Sequence, residues 1–203
     1  MGAQWIERSG GTNPDKQAKV VSGLIKSTDR ATRILDDVLD LARSSFGTEI
    51  PVSKSATDLT VLSETIADEL RSVHTSRVIN VSHRGDPNGL WDAGRLRQAL
   101  SNLMGNAIQY GDASKPVTVS IAGNDPTFVE VSVHNSGSSI PPDVQRTIFQ
   151  AWTRGLVDGP GRHPHLGLGL YISRLIAEAH GGDIAVSSTE LDGTTFTFRL
   201  PRA

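Results

Sequence analysis

Near its start the chain carries a helical pattern of apolar residues. Between residues 16 and 45, positions spaced alternately by three and four form a seam, which is typical of a helix in a coiled coil or bundle. The seam consists of Val21, Leu24, Thr28, Ala31, Leu35, Val38 and Ala42. Four further apolar residues widen it, namely Ile25, Ile34, Leu39 and Leu41. A broad stripe favours a bundle over a two-stranded coil, and a helix packed on its own domain remains the alternative.

Beyond this helix the pattern alternates between turns, helices and strands. Residues 48–57 are rich in turn formers and predict a linker. Asp58 and Asp92 each precede an apolar repeat of helical period, which predicts the N-caps of two amphipathic helices. Alternating apolar and polar residues predict strands over residues 77–83, 117–122, 127–134, 184–188 and 194–200. We also predict a turn over 85–89, helices over 142–149 and 166–179, and a long loop over 151–165.

Composition narrows the function classes. The 203 residues include 37% hydrophobic and 21% charged side chains, which is ordinary for a globular protein. Twenty basic and twenty-two acidic residues leave a formal charge of -2, so no overall field attracts nucleic acid or an anionic membrane. There is no cysteine, which excludes disulfides, thiolate metal sites and a thiol nucleophile. With no apolar run of membrane-spanning length, we expect a soluble, cytoplasmic chain.

The most distinctive stretch is NLMGNAIQY, residues 102–110. Asn102, Asn106, Gln109 and Tyr110 share one stripe of a predicted helix. Amides on an otherwise apolar face are costly to bury without partners, so we expect a ligand to occupy them. Mg²⁺ prefers oxygen ligands and keeps substrate phosphates in its shell, so a magnesium nucleotide fits, with Asn106 as the metal ligand. A single asparagine is more often solvated, but four coordinated positions disfavour that alternative.

The segment HNSGSSIP, residues 134–141, follows a predicted strand. Gly137 would let the backbone come close to a flat base, and Asn135 offers an amide to it. By itself the segment also fits an ordinary turn between a strand and a helix, because Asn, Ser, Gly and Pro are expected there.

The segment LGLGL, residues 166–170, enters a predicted helix directly. The backbone N–H groups of Gly167, Leu168 and Gly169 would then lie at the positive end of the helix and hold phosphate oxygens. Two glycines at this spacing are common in proteins, so the segment indicates a phosphate site only together with the other motifs.

The four segments NLMGNAIQY, HNSGSSIP, IFQAW and HLGLGLYI, in this order and spacing, resemble the N, G1, F and G2 boxes of sensor histidine kinases. Residues 58–203 carry this similarity. The resemblance implies an α+β fold shared with gyrase, Hsp90 and MutL, a two-layer sandwich in which helices cover a mixed, mostly antiparallel sheet. The stretch STDRATRILDDVLDLAR looks like the second helix of the family's dimerisation and phosphotransfer hairpin. We therefore assign residues 1–47 to part of that hairpin, 48–57 to the linker and 58–203 to the catalytic ATP-binding domain.

The resemblance also implies roles for the matching residues. Asn106 would bind Mg²⁺ with Asn102 beside it at the phosphates, and Tyr110 would pack against adenine, with Gly137 beneath the base. The implied nucleotide site as a whole is Asn102, Asn106, Gln109, Tyr110, Asn135, Gly137, Arg154, Gly167, Leu168 and Gly169.

The loop over residues 151–165 matches the ATP lid of this family. The resemblance implies that Phe149 and Trp152 form its apolar hinge and that Arg154 contacts a phosphate. Long loops in compact domains tend to be functional, which agrees with a lid.

Three residues depart from the family pattern. Asn135 stands where the family usually has aspartate, which removes a charge-assisted hydrogen bond to adenine worth on the order of 1 kcal/mol. Gln109 replaces a common lysine, and His165 replaces the first glycine of the G2 box. We expect reduced rather than abolished nucleotide binding.

A phosphoacceptor histidine is not identified in this sequence. The family's acceptor lies on the first helix of the hairpin; the histidine-bearing segment of that helix has no match here, and residues 2–10 look only like its tail. The six histidines are His74, His83, His134, His163, His165 and His180. His180 precedes two glycines, which predicts a helix C-terminal position favoured by the helix dipole.

The implied activity is transfer of the ATP γ-phosphoryl group to a histidine of the parent kinase, and from there to a response regulator. The expected partners are ATP or ADP, the histidine-bearing helix and the regulator's receiver domain, without nucleic acid. The intact parent, soluble or membrane-anchored, is expected to be a homodimer. We also expect this chain to associate through Leu24, Ile25, Leu35 and Val38, because one hairpin helix leaves its seam exposed.

Two alternatives remain open. A nucleotide-responsive binding or scaffold module would order its lid around ATP without turnover, and the three departures favour it. An ATPase of the gyrase type needs a carboxylate general base on the amide-bearing helix, where Asn102 stands instead, so hydrolysis should be slow.

Overall fold

The computed structural model describes residues 38–47, 50–152 and 167–203, together with positions 21, 23, 28, 32 and 35. The chain divides into two compact units, residues 1–46 and 47–203. No helix among the described residues has both the length and the apolar character needed to cross a membrane.

The first unit is helical at every one of its described positions from residue 21 to 45. Leu35 is 64% exposed and Val38 is 43% exposed on this helix. Leu24 and Ile25 of the same seam lie outside the described residues. Association through this seam therefore stays a prediction.

The second unit begins with a small sheet beside a helix. Strand β1 (Ser55–Asp58) pairs antiparallel with β3 (Asn88–Trp91), and helix α1 (Leu59–Val73) follows β1 directly. As predicted, Asp58 is the N-cap of α1: its carboxylate accepts the N–H groups of Thr60 and Val61 at 2.7 and 3.1 Å.

The β1–β3 pair corrects two sequence-based assignments. The last residues of the predicted linker form β1, and part of the predicted turn over residues 85–89 belongs to β3. Strands of four residues carry too little alternation to be recognised locally. Fully buried Trp91 anchors the pair, because its indole N–H donates to the carbonyl of Pro201 at 2.6 Å.

The main sheet has five strands in the order β2-β4-β5-β7-β6. Their bounds are Ile79–Gly85 for β2, Val117–Gly123 for β4, Phe128–Asn135 for β5, Asp183–Thr189 for β6 and Gly193–Pro201 for β7. Only the β2–β4 pair is parallel, and the other three pairs are antiparallel. The mixed, mostly antiparallel sheet is confirmed.

Helices cover one face of this sheet. They are α1, α2 (Ala93–Tyr110), α3 (Pro142–Gln145) and α4 (Gly169–Ala179). The α3 helix is shorter than the predicted 142–149, because turns replace it after Gln145. The apolar residues of α2 are buried, namely Leu96, Ala99, Leu100, Leu103, Met104, Ala107 and Ile108. Burial alternates along β4 and β5, so alternate side chains enter the core beneath the helices.

The C-terminal Arg202 ties two turns together at one end of the main sheet. Its guanidinium donates to the carbonyls of Asp86 at 2.8 Å, Gly123 at 2.9 Å and Asp125 at 3.1 Å. In the β5–β7 pairing, Phe128 faces Pro201 at this end, whereas Asn135 faces Thr194 at the other. Arg202 therefore stabilises the end of the sheet that is remote from Asn135.

One histidine connects the end of α4 to the start of α2. His180 is 1% exposed, its Nδ1 lies 2.7 Å from the carbonyl oxygen of Ile176, and its Nε2 accepts the N–H of Asp92 at 3.0 Å. Because Nε2 accepts, the ring is neutral and its proton lies on Nδ1. Burial lowers the pKa of His180, against the opposing effects of the Ile176 carbonyl and the Asp92 carboxylate. The predicted helix-end position is correct, but the ring is not the cation that a helix dipole favours.

We expect the free energy of unfolding to fall as the pH drops below about 6.5. The unfolded chain protonates His180 near its ordinary pKa, whereas the folded chain does so only at lower pH. The stability that neutral His180 contributes is therefore fully present above the pKa of the unfolded chain. It is lost as the pH falls toward the lower pKa of the folded chain, by up to about 1.4 kcal/mol per pH unit. Urea unfolding at several pH values checks this against His180→Gln, because glutamine fills both hydrogen-bonding roles without titrating. Exposed His74→Gln is the control, and an equal pH slope in wild type and His180→Gln contradicts the prediction.

Candidate functional site

The amide stripe of α2 meets the start of α4. Asn102, Asn106 and Gln109 are half-buried along α2. The side-chain amide of Asn102 donates to the carbonyl of Gly169 at 3.3 Å. A Cβ on Gly169 would lie only 3.4 Å from Cγ of Asn102, so the two segments are in contact. The fold thus joins two of the motifs that the sequence placed 67 residues apart.

Within the part of the chain that the structure describes, the N-terminus of α4 has no side-chain cap. Its N-cap, Leu168, makes no side-chain capping hydrogen bond, so no side chain of this residue satisfies the first N–H groups of the helix. Gly167 precedes it with a φ of +70°, a left-handed conformation that glycine adopts without strain. Uncapped N–H groups and the positive end of the helix dipole together favour an anion.

The other end of α2 packs against the segment after β5. Gly111 and Gly137 form an antiparallel bridge, and the N–H of Asp112 donates to the carbonyl of Ser136 at 2.7 Å. A Cβ on Gly137 would lie 2.9 Å from the carbonyl oxygen of Tyr110. Gly137 therefore has a structural reason for its identity besides the predicted approach to a base. The ring of Tyr110 is partly accessible, with the residue 44% exposed.

Asn135 lies at the end of β5, beneath this junction. It is 5% exposed, and its side-chain N–H donates to the carbonyl of Ser136 at 3.3 Å. This bond engages one of the two N–H groups of the amide and orients it, and the amide oxygen remains as an acceptor. An acceptor oxygen here suits an amino group such as that of adenine.

Asn106 lies between the two ends of the stripe. Asn102 and Tyr110 are eight residues apart on α2, about 12 Å along the helix axis. Side-chain hydrogen bonds within the described residues engage Asn102 but not Asn106. A half-buried amide oxygen in this position fits a hard cation that shares its shell with phosphates.

The predicted hinge of the lid is described only in part. Phe149 packs edge-on against Phe196 of β7, with ring centroids 6.1 Å apart. Trp152 is 58% exposed and has a φ of +65°, which is uncommon for a residue with a Cβ. Arg154 and the remainder of the predicted lid from residue 153 lie outside the described residues.

One residue at the site carried no signal in the sequence. Arg77, between α1 and β2, is 9% exposed, and its guanidinium donates to the carbonyl of Asp112 at 2.7 Å. It also donates to the carbonyls of Ala107 and Gly111, both at 3.4 Å. An isolated arginine before a strand resembles a surface residue, so local pattern could not reveal these contacts.

Comparison with known proteins agrees with this geometry. Residues 91–203, more than half of the chain, match the family described as histidine kinase-, DNA gyrase B-, and HSP90-like ATPase. A probable sensor histidine kinase of Mycobacterium tuberculosis, TcrY, is 29% identical over 94% of this chain and 40% of its own length. The adaptive-response sensory kinase SasA of Synechococcus sp. is 31% identical over 96% of this chain and 50% of its own.

A solved structure gives the same result. Full-length ShkA in complex with AMPPNP superimposes with a TM-score of 0.73 and 31% identity, covering 94% of this chain and 40% of that one. The chain thus spans half or less of these relatives. Since the family match covers most of the second unit and the relatives are sensor kinases, the chain belongs to the histidine kinase-, DNA gyrase B- and HSP90-like ATPase family, as the catalytic ATP-binding domain of a sensor histidine kinase.

Proposed function

We propose that the amide stripe of α2, the start of α4 and the segment after β5 line a cleft that binds magnesium-ATP, with the base at the Tyr110 end and the phosphates at the start of α4. The observation that carries this proposal is the contact of Asn102 with Gly169, which sets the uncapped start of α4 beside the amide stripe. The contact of Tyr110 with Gly137 supports the placement of the base at the opposite end.

At the phosphate end, three kinds of group act together. The N–H groups of Gly167, Leu168 and Gly169 bind phosphate oxygens, and the Asn102 amide holds Gly169 in place. The Asn106 oxygen would hold Mg²⁺, which offsets phosphate charge when bound. Gln109, next to Tyr110 in the sequence, adds a neutral polar group nearer the base. In phosphoryl transfer the protein contributes mainly such positioning and charge stabilisation.

At the base end, Asn135 and Tyr110 recognise adenine. The Asn135 oxygen accepts the adenine amino group, while its own N–H stays bonded to the carbonyl of Ser136. The partly exposed ring of Tyr110 packs against the base. This division makes the oxygen of Asn135 the specific contact and Tyr110 the apolar one.

In the parent kinase we propose that the γ-phosphoryl group passes to a histidine on the acceptor helix and then to a receiver domain. The parent would be a cytoplasmic kinase module that works as a homodimer. The similarity to TcrY, SasA and ShkA supports these roles, and the complex of ShkA with a nucleotide analogue supports ATP as the ligand.

The competing proposal is a nucleotide-responsive binding module with little turnover. Asn135, Gln109 and His165 favour it, since each replaces a charged or flexible group of the family pattern. The two proposals share the nucleotide site and differ in whether the phosphoryl group leaves it.

Transfer of a radiolabelled phosphoryl group from ATP distinguishes the kinase from the binding module. The chain is mixed with Mg²⁺, γ-labelled ATP and a polypeptide carrying the acceptor helix, with the same polypeptide bearing glutamine for histidine as the control. Label on the histidine alone supports the kinase, whereas tight ATP binding without label on the polypeptide supports the module. A chain that binds no ATP at millimolar concentration overturns both.

Tyr110→Ala is expected to weaken adenine nucleotides by about 1 to 3 kcal/mol, because the ring loses its contact with the base. Calorimetric titration with ADP and Mg²⁺ measures the change. Tyr171→Ala, an aromatic residue of α4, is a comparison variant on another element. Unchanged ADP affinity in Tyr110→Ala would show that the ring serves packing alone.

A further inference from the structure

Arg77 supplies the cation that the C-terminus of α2 lacks in its own sequence. The last turn of α2 contains no basic residue. Instead, the guanidinium of Arg77 donates to the carbonyls of Ala107, Gly111 and Asp112, 30 to 35 residues away in the chain. These carbonyls lie in the last turn of the helix or directly after it, where a cation is favourable, although Ala107 also accepts the N–H of Gly111 and Asp112 that of Lys115.

The helix end that Arg77 holds is unusually tight. Gly111 leaves α2 in an extended conformation, with φ of -74° and ψ of 154°, so it does not form the left-handed cap that glycine commonly provides. A Cβ at this position would lie 2.4 Å from the Ala107 oxygen, 3.0 Å from Cβ of Asn135 and 3.1 Å from Nη2 of Arg77. The guanidinium, the helix end and the end of β5 therefore meet around one glycine.

The same helix end forms one wall of the proposed base site. Tyr110 immediately precedes Gly111, and Asp112 immediately follows it, bonded to Ser136 at 2.7 Å. Asn135 and Gly137 flank Ser136 on the opposite wall. A shift of the helix end would thus change the separation of Tyr110 from Asn135.

We propose that Arg77 is a positioning residue for the base: it fixes the end of α2 so that Tyr110 and the Asn135 oxygen face one adenine. The inference rests on the proposed function of the cleft. Arg77 touches neither base nor phosphate and acts through the three backbone carbonyls. The Nε of Arg77 is buried without a hydrogen-bond partner among the described residues. Buried polar groups are normally paired, so Arg77 is buried here although part of its guanidinium is unsatisfied.

A merely structural cap would lower stability without preference for one end of the nucleotide. Positioning of the base has a different signature, because the phosphate end depends on Asn102 and the start of α4 instead. The readout is therefore the affinity for ADP compared with that for magnesium tripolyphosphate, which carries a phosphate chain and no base.

The variants are Arg77→Met, which removes the donors, and Arg77→Lys, which keeps the charge. Arg202→Met is the matched control, since Arg202 also donates to three or more backbone carbonyls but at the remote end of the sheet. All are titrated under conditions in which unfolding curves show them to be folded. We expect Arg77→Met to weaken ADP by about tenfold or more while tripolyphosphate stays within about twofold. Arg77→Lys should recover part of the loss, and Arg202→Met should leave both affinities unchanged.

Two results overturn the inference. The first is a folded Arg77→Met that binds ADP as wild type does. The second is a loss of ADP affinity that only tracks stability, equally large in Arg202→Met or equally large for tripolyphosphate. If Arg77→Met does not fold, Arg77→Lys is used in its place. The same comparison of ADP affinity with tripolyphosphate affinity then decides the question. Failure of wild type to bind ADP instead refutes the proposed function, so the two failures are distinguishable.

Discussion

Asn106→Ala is expected to weaken the magnesium-dependent binding of ATP by about 100-fold or more, close to 3 kcal/mol. The proposed site offers the metal one protein oxygen, on a helix whose neighbouring amide, Asn102, is already bonded to Gly169. That bond uses the Asn102 N–H and fixes the orientation of its amide, so the Asn102 oxygen would have to turn away from this contact to take over the role. Calorimetric titration of ATP with and without Mg²⁺ measures the effect, and the variant should bind metal-free ATP nearly as wild type does.

Asn124→Ala provides the control, because Asn124 is an exposed residue of the loop between β4 and β5. It should leave ATP affinity unchanged in both conditions. If Asn106→Ala and Asn124→Ala have equal effects, or if Asn106→Ala loses affinity without Mg²⁺ to the same extent, Asn106 is not the metal ligand.

Gly137→Ala is expected to lower the free energy of unfolding by roughly 1 to 3 kcal/mol and to weaken ATP binding as well. Gly137 has a φ of +155°, which L side chains rarely adopt, and a Cβ there would lie 2.9 Å from the Tyr110 oxygen. The neighbouring atoms are backbone, which cannot move aside without breaking the Gly111–Gly137 bridge. The substitution is therefore expected to lower both the free energy of unfolding and the affinity for the nucleotide base.

Urea unfolding and calorimetric titration with ADP test both parts. Gly105→Ala in the middle of α2 is the opposite control, because outside the nearby backbone of α2 no described atom lies within 4 Å of a Cβ at that position. Alanine in a helix interior should raise stability there by roughly 0.5 to 1 kcal/mol. A Gly137→Ala variant as stable as wild type, with unchanged ADP affinity, would contradict the packing described around Tyr110.

Much of the fold could be predicted from local pattern. Asp58 and Asp92 cap the two helices that they precede, and each accepts N–H groups of the first turn as expected. The hairpin strands over residues 117–122 and 127–134 were placed within one residue of β4 and β5. These elements are long and strongly periodic, so neighbouring residues suffice to specify them.

The β1–β3 pair and the parallel β2–β4 pair could not be predicted in this way. A parallel partner lies far along the chain: Ile79 of β2 pairs with Val117 of β4. Neither strand differs in pattern from one with an antiparallel neighbour. The choice depends on which strand edges meet once α1 and α2 have packed, and only the whole core decides that.

The site, too, has features that the sequence predicts and features that only the tertiary structure shows. By itself the sequence determined the amide stripe, the two glycine segments and hence the family, because these are chemical identities at short spacing. Tertiary structure alone decided that Asn102 would bond Gly169, that Arg77 would hold the end of α2, and that His180 would be neutral against Asp92. Those partners lie 35 to 88 residues apart, and their contacts form only when close packing of the core brings these polar groups together and excludes water from them.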